Sequence, residues 1–141
     1  MGIVGSALKS GVAVYRNGVV KVEDFYHTNK RGERKKYRGL VDVMAPLFQN
    51  KYGVSLEELA QAYAVARRAE GMRQRGLPTP AKAGDLALIE AEIAKYVNEN
   101  GDSIIEEWYD TWQAYNNKTV EFMKATGLVD DALAQKWLEM S

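Results

Sequence analysis

The chain has 141 residues and a formal net charge of zero, with 46% hydrophobic and 27% charged residues. At roughly 100–200 residues per domain this predicts a single domain. The composition excludes a disordered tail, a collagen-like rod and a basic nucleic-acid coat. With no cysteine there are no disulfides, thiolate metal sites or cysteine nucleophiles. His27 is the only histidine, so there is no His-rich metal cage. The apolar runs fall far short of the roughly 20 residues that a membrane helix needs, and no membrane association is predicted.

The zero net charge hides a division. Residues 1–82 hold 15 Lys/Arg against 7 Asp/Glu, and residues 83–141 hold 4 against 12, so the halves carry +8 and −8. Such halves either satisfy each other on folding or aim the basic half at a polyanion.

Met1-Gly2-Ile3-Val4-Gly5-Ser6 fits the pattern for myristoylation of Gly2. No polybasic stretch follows to give a second anchor. There is no secretory signal, so a cytoplasmic or virion-internal location is predicted.

Val12–Arg16 and Val19–Val22 flank Asn17-Gly18, a pair that tolerates the two positive φ angles of a type I′ turn. The spacing predicts a β-hairpin with Ala13, Tyr15, Val20 and Val22 on one face, and Arg16 and Lys21 on the other. A two-stranded hairpin is marginal alone, so it should dock on helices or extend another sheet. His27–Arg38 then carries six basic residues and one acid, and reads as an exposed basic loop. Lys30, Arg31, Arg34, Lys35, Lys36 and Arg38 are candidates for phosphate contact, with Tyr37 as a stacking residue. The alternative is a solvated linker. His27 reads as a surface residue.

From Gly39 the period is helical. Leu40, Val43, Met44, Leu47 and Phe48 form one stripe, with a break at Ala45 imposed by Pro46. Ser55-Leu-Glu-Glu58 is a capping box opening a helix to about Arg75, closed by Gly76. Leu56, Leu59, Tyr63, Ala66, Ala69 and Met72 face its core, and Arg67, Arg68, Arg73 and Arg75 crowd its second half as further nucleic-acid candidates. Leu77-Pro-Thr-Pro80 is a stiff connector. Asp85 caps a helix over 86–98 with Leu86, Ile89, Ile93 and Tyr96/Val97 inward. Asp102 caps the longest helix, about 103–126. Its stripe of Ile105, Trp108, Trp112, Tyr115, Thr119, Phe122 and Met123 supplies a core, with Asn116 and Asn117 placed to satisfy polar tips. Asp130 or Asp131 starts a short helix with Leu133, Trp137 and Leu138. The predicted fold is mainly α, an antiparallel helical bundle (39–141) behind an N-terminal β-hairpin and basic loop (1–38).

No phosphate-binding, dinucleotide, metalloprotease or nucleophile-elbow motif is present. Glu57/Glu58, Glu106/Glu107 and Asp130/Asp131 are adjacent on helices and point about 100° apart, so no pair converges on a substrate. Glu106 and Asp110 share a helix face, a spacing that suits a divalent cation or a solvated surface. No catalytic residue, metal site or cofactor is predicted, and the chain reads as a non-enzyme.

Ala64-Val-Ala-Arg-Arg-Ala-Glu-Gly-Met-Arg-Gln-Arg-Gly76 with Leu77-Pro-Thr-Pro80, and Trp112-Gln-Ala-Tyr-Asn-Asn117 leading to Phe122-Met-Lys-Ala-Thr-Gly-Leu128, resemble a helical region of the large multidomain polyvalent proteins of bacteriophages and mobile elements. The similarity covers about residues 38–141 and consists of packing and capping patterns. The family pattern continues past Ser141, which implies a fragment or a short stand-alone relative. The resemblance implies a virion-associated or DNA-delivery component with a protein partner or self-association. A small nucleic-acid-binding module and a phage-encoded inhibitor of a host factor are the alternatives.

Overall fold

A computed structural model describes residues 11–49, 51–79, 82, 84–127 and 130–139. The Met1–Ser6 pattern, Pro80, Leu128 and the side chains of Trp137 and Leu138 lie outside the described residues. The described chain is mainly helical, with two small antiparallel hairpins. Its described residues cluster into two compact units, one drawn from 11–45 and 110–139, the other from 46–109.

In the first unit, β1 (Val12–Arg16) and β2 (Val19–Glu23) pair antiparallel with Ala13 opposite Val22 and Tyr15 opposite Val20. Asn17 and Gly18 take φ of 52° and 77°, the turn that the Asn-Gly pair predicts. The core face is less simple than the alternation suggests. Ala13 packs with Phe122, Val20 and Met123, while Val12 and Val14 on the opposite face join Phe25, Val43 and Tyr115. Tyr15 and Val22 stay exposed.

The basic segment is not a loop. It folds into a second hairpin, β3 (Phe25–Thr28) against β4 (Arg34–Tyr37), with Phe25 opposite Tyr37 and His27 opposite Lys35. Two forces select the strand. Phe25 is buried against the rings of Tyr37 at 5.8 Å and Tyr115 at 5.3 Å, and Asn29 builds the turn from its own side chain. Asn29 Oδ1 accepts from the amides of Arg31 and Glu33, each at 3.0 Å, and Gly32 supplies a φ of 82°.

α1 (Leu40–Met44) passes into a 3-10 turn at Ala45–Phe48, as Pro46 requires. Val43 and Leu47 are buried, but Phe48, expected on the inward stripe, is 55% exposed because the tighter turn rotates it outward.

The second unit is built on α2 (Leu56–Gln74) and α3 (Asp85–Ile93), which pack on each other. Ser55 Oγ accepts from the Glu58 amide at 3.3 Å, while the Glu58 side chain makes no return bond. At the other end Leu77 N–H donates to the Met72 carbonyl at 2.9 Å and Gly76 N–H to that of Arg73 at 3.0 Å, closing a Schellman motif. Leu56, Ala60, Tyr63, Ala66 and Ala69 are buried along α2, and Ile93 on α3. Each full burial of a Leu or Ile contributes about 1.5–3 kcal/mol before entropy is counted.

Two expected caps move. Asp85 is the first residue of α3 rather than its cap, and its carboxylate accepts from the Lys82 amide at 2.9 Å. α3 ends at Ile93, short of 98, because Asn98 Oδ1 gathers the amides of Asn100 and Asp102 into a turn. A Val97–Ser103 bridge closes that turn. Ser103, not Asp102, then caps α4 (Ile104–Ala125), accepting from the Glu106 amide at 3.4 Å and donating to the Ile93 carbonyl at 3.2 Å.

α4 carries buried Ile104, Ile105, Trp108 and Tyr109 in the second unit, and Thr111, Tyr115 and Phe122 in the first. The Tyr115 hydroxyl donates to the Gly11 carbonyl at 3.3 Å, so the partner is backbone and not Asn116 or Asn117. Burial raises the Tyr115 pKa, with the Leu40 amide opposing. α5 (Asp131–Glu139) is capped by Asp130, whose Oδ1 accepts from the Leu133 amide at 2.7 Å.

Gly11 is an absolute requirement of this arrangement. It holds a φ of 135°, and a Cβ there would lie 1.9 Å from the Glu23 carbonyl oxygen. Gly18 also has positive φ but opens onto empty space. Gly11→Ala should therefore cost more than about 2 kcal/mol, against about 1–2 kcal/mol for Gly18→Ala, in urea unfolding followed by tryptophan fluorescence. Equal losses would contradict the close approach.

Candidate functional site

Six of the ten basic residues singled out from the sequence lie in the first unit and four in the second. On the β3–β4 hairpin, alternation sends Phe25, His27, Lys35 and Tyr37 to one face, and Tyr26, Thr28, Arg34 and Lys36 to the other. The outward face is thus a small platform: the Arg34 guanidinium sits 4.2 Å above the exposed ring of Tyr26. Lys36 lies beside it, with Nζ 3.3 Å from Asp24. Lys30 and Arg31 occupy the turn, and Lys30 Nζ is 4.0 Å from Asp110.

Arg38 has a different task. Its Nε and a terminal nitrogen each donate at 3.0 Å to the Asp42 carboxylate, and its own amide donates there at 2.8 Å. The bidentate fork fixes the entry to α1 and holds the Asp42 carboxyl below its ordinary pKa through those hydrogen bonds. A lowered carboxyl pKa stabilises the fold while Asp42 is ionised, and this contribution disappears as pH falls below about 4. Arg38 is committed to that corner.

The α2 arginines do not act as a set. Arg67 lies 4.6 Å over the Tyr109 ring and donates to the Tyr63 hydroxyl at 3.1 Å. Tyr63 is itself edge-on to Tyr109 at 5.3 Å, and burial raises its pKa, with the Arg67 hydrogen bond opposing. Arg67 is therefore part of the packing of the second unit. Arg73 pairs with Glu70 at 2.6 Å, and Arg75 Nε reaches the Gly71 carbonyl at 3.4 Å. Arg68 stays exposed.

The feature that sequence patterning missed lies between α2 and α3. An open groove of about 480 Å³ is lined by Glu58, Ala62, Val65 and Ala66 of α2 and by Leu88 and Ile89 of α3, with Gln61 and Asp85 completing it. Val65 is 60% exposed and Leu88 73%, the two most open apolar side chains of these helices. The signal was present as leftovers. Val65 and Leu88 fall off the inward stripes of their helices, and apolar residues of this size outside a stripe mark unfilled surface.

No family model, curated protein or solved structure matches the chain.

Among the described residues, no cluster of three or more His, Asp or Glu side chains is placed to hold a metal ion. No described helix is long and apolar enough to cross a membrane. Chemically, the groove offers apolar contact with carboxylates at its border, and the hairpin offers exposed cations beside one aromatic ring.

Proposed function

We propose that this chain is a non-enzymatic helical module of a bacteriophage or mobile element, acting by binding protein as a virion-associated or DNA-delivery component. The observation that carries this reading is the groove between α2 and α3, where Val65 and Leu88 stand open over Ala62 and Ala66. Apolar side chains gathered in a concavity gain most by burial against another chain. The resemblance of residues 38–141 to polyvalent proteins supports the setting, inside the host cytoplasm or the virion. The same surface would serve an inhibitor of a host factor. We read the helices of the second unit as antiparallel bundle packing, a reading supported by the contact of α2 with α3.

A display library of random helical peptides panned against the full chain tests this. Enriched peptides should share apolar residues at i, i+3, i+4 and i+7, and should fail to bind a Val65→Glu/Leu88→Glu chain. Enrichment without that pattern, or with undiminished binding to the double variant, would contradict the reading.

A second reading, nucleic-acid binding, rests on the Tyr26–Arg34 platform with Lys36 on the same face, Lys30 and Arg31 in the turn, and Lys35 on the opposite face of the hairpin. Exposed ion pairs are worth about 0–1 kcal/mol, so phosphate can displace Asp24 and Asp110 from Lys36 and Lys30. This reading requires fluorescence anisotropy with labelled DNA to fall with log K slopes of about 0.7–0.9 per phosphate neutralised. Binding must also be lost in Arg34→Glu/Lys35→Glu/Lys36→Glu. No binding at low salt would remove it.

A further inference from the structure

We infer that the groove between α2 and α3 takes one kind of partner: an amphipathic helix whose polar face is basic. The inference rests on the protein-binding reading above and adds the chemistry of the occupant.

The shape comes first. Glu58, Ala62 and Ala66 stand four residues apart on one row of α2, and Gln61 and Val65 on the next. Rows of this spacing are the ridges into which another helix packs. Ala62 and Ala66 keep one row low, and Val65 and Leu88 rise as side chains that a partner's apolar residues can grip. A partner strand would instead need a sheet edge, and none borders the groove.

Charge then selects the partner. Glu58 and Asp85 line the groove, one from each helix, and no Lys or Arg lines it among the described residues. The helix segments that frame the groove have the same sign, with Lys82 and Lys95 flanking α3 and Lys95 paired with Glu92 at 2.8 Å. Residues 56–66 and 85–93 together hold Glu57, Glu58, Asp85, Glu90 and Glu92 and not one basic residue. A partner helix with acidic flanks would meet like charge from both helices. Lys or Arg flanks instead meet the exposed Glu58 carboxylate on one side and Asp85, fixed in place by the Lys82 amide, on the other. The basic residues of α2 begin at Arg67, beyond the groove.

The test uses the full chain and two synthetic helical peptides with Leu at i, i+3, i+4 and i+7. One carries Lys at its other positions and the other carries Glu. At near-physiological salt the Lys peptide should bind, and the Glu peptide should bind at least about tenfold more weakly. Leu88→Glu adds an acid beside the site and would strengthen a merely electrostatic attraction, so loss of Lys-peptide binding in that variant locates it in the groove. Glu58→Lys, an exposed change, should weaken the Lys peptide while leaving the fold intact. Retention of Lys-peptide binding in Leu88→Glu overturns the inference. Preference for the Glu peptide, abolished by Leu88→Glu, overturns the basic partner but leaves the protein-binding reading standing. Binding of neither peptide overturns the inference, and together with a library that yields nothing it removes both. A free chain that sediments as a dimer dissolved by Leu88→Glu would assign the groove to a second copy instead.

Discussion

The aromatic side chains along Ile104–Ala125 must leave water, and both units are arranged to take them. Each such ring buries about 150–250 Å², more than any other residue type in the chain. In the second unit Trp108 and Tyr109 are covered, with Tyr63 set edge-on to Tyr109 and Arg67 laid across its ring. In the first, Tyr115 and Phe122 are the buried anchors, and Phe25 approaches Tyr115 edge-on. The polar tip of Tyr115 needs an acceptor inside that core, and the Gly11 carbonyl provides it. Gly11 can lie there because it has no side chain to strike the Glu23 backbone. Strand pairing, the Phe25 contact and the start of β1 therefore all converge on one tyrosine. Among the described residues no buried side-chain nitrogen or oxygen lacks a partner.

The readable parts of the fold were those governed by neighbours in sequence. Asn17-Gly18 dictates its turn, Pro46 its break, and Ser55 and Gly76 the two ends of α2, because each acts through backbone geometry within a few residues. The second hairpin was hidden by composition. Three of the four residues of β4 are charged, and the turn depends on Asn29 folding its own side chain over Arg31 and Glu33. What decides for strand is Phe25 against Tyr115, a contact across the chain that no local pattern contains. The same holds for Asp102 and Ser103: both are good caps, and Ser103 prevails because its hydroxyl also reaches the Ile93 carbonyl. The groove is the least legible feature, since it consists of what α2 and α3 leave uncovered after packing.

The charge division looks different in three dimensions. Four of the seven acids in the basic half pair with cations of that same half: Glu23 with Arg16, Asp24 with Lys36, Asp42 with Arg38 and Glu70 with Arg73. Its excess of +8 therefore resides on the other lysines and arginines. Beside the α2–α3 groove Glu92 is paired with Lys95, but the lining itself holds Glu58 and Asp85 and no Lys or Arg among the described residues, so there an exposed apolar surface coincides with acidic charge. Apolar area supplies affinity and charge supplies selection. That coincidence, rather than the count of lysines and arginines, is what directs the functional reading to the groove.

The aromatic stripe is consumed by the fold, and the groove between α2 and α3 is the apolar surface those helices leave for a partner. Paramagnetic relaxation by a soluble gadolinium chelate, read in NMR on the full chain, tests this directly. The methyls of Val65 and Leu88 should relax strongly, and those of Ile93 and Ile105 and the Trp108 indole hydrogen should be shielded. Shielded Val65 and Leu88 methyls beside a strongly relaxed Trp108 would contradict it.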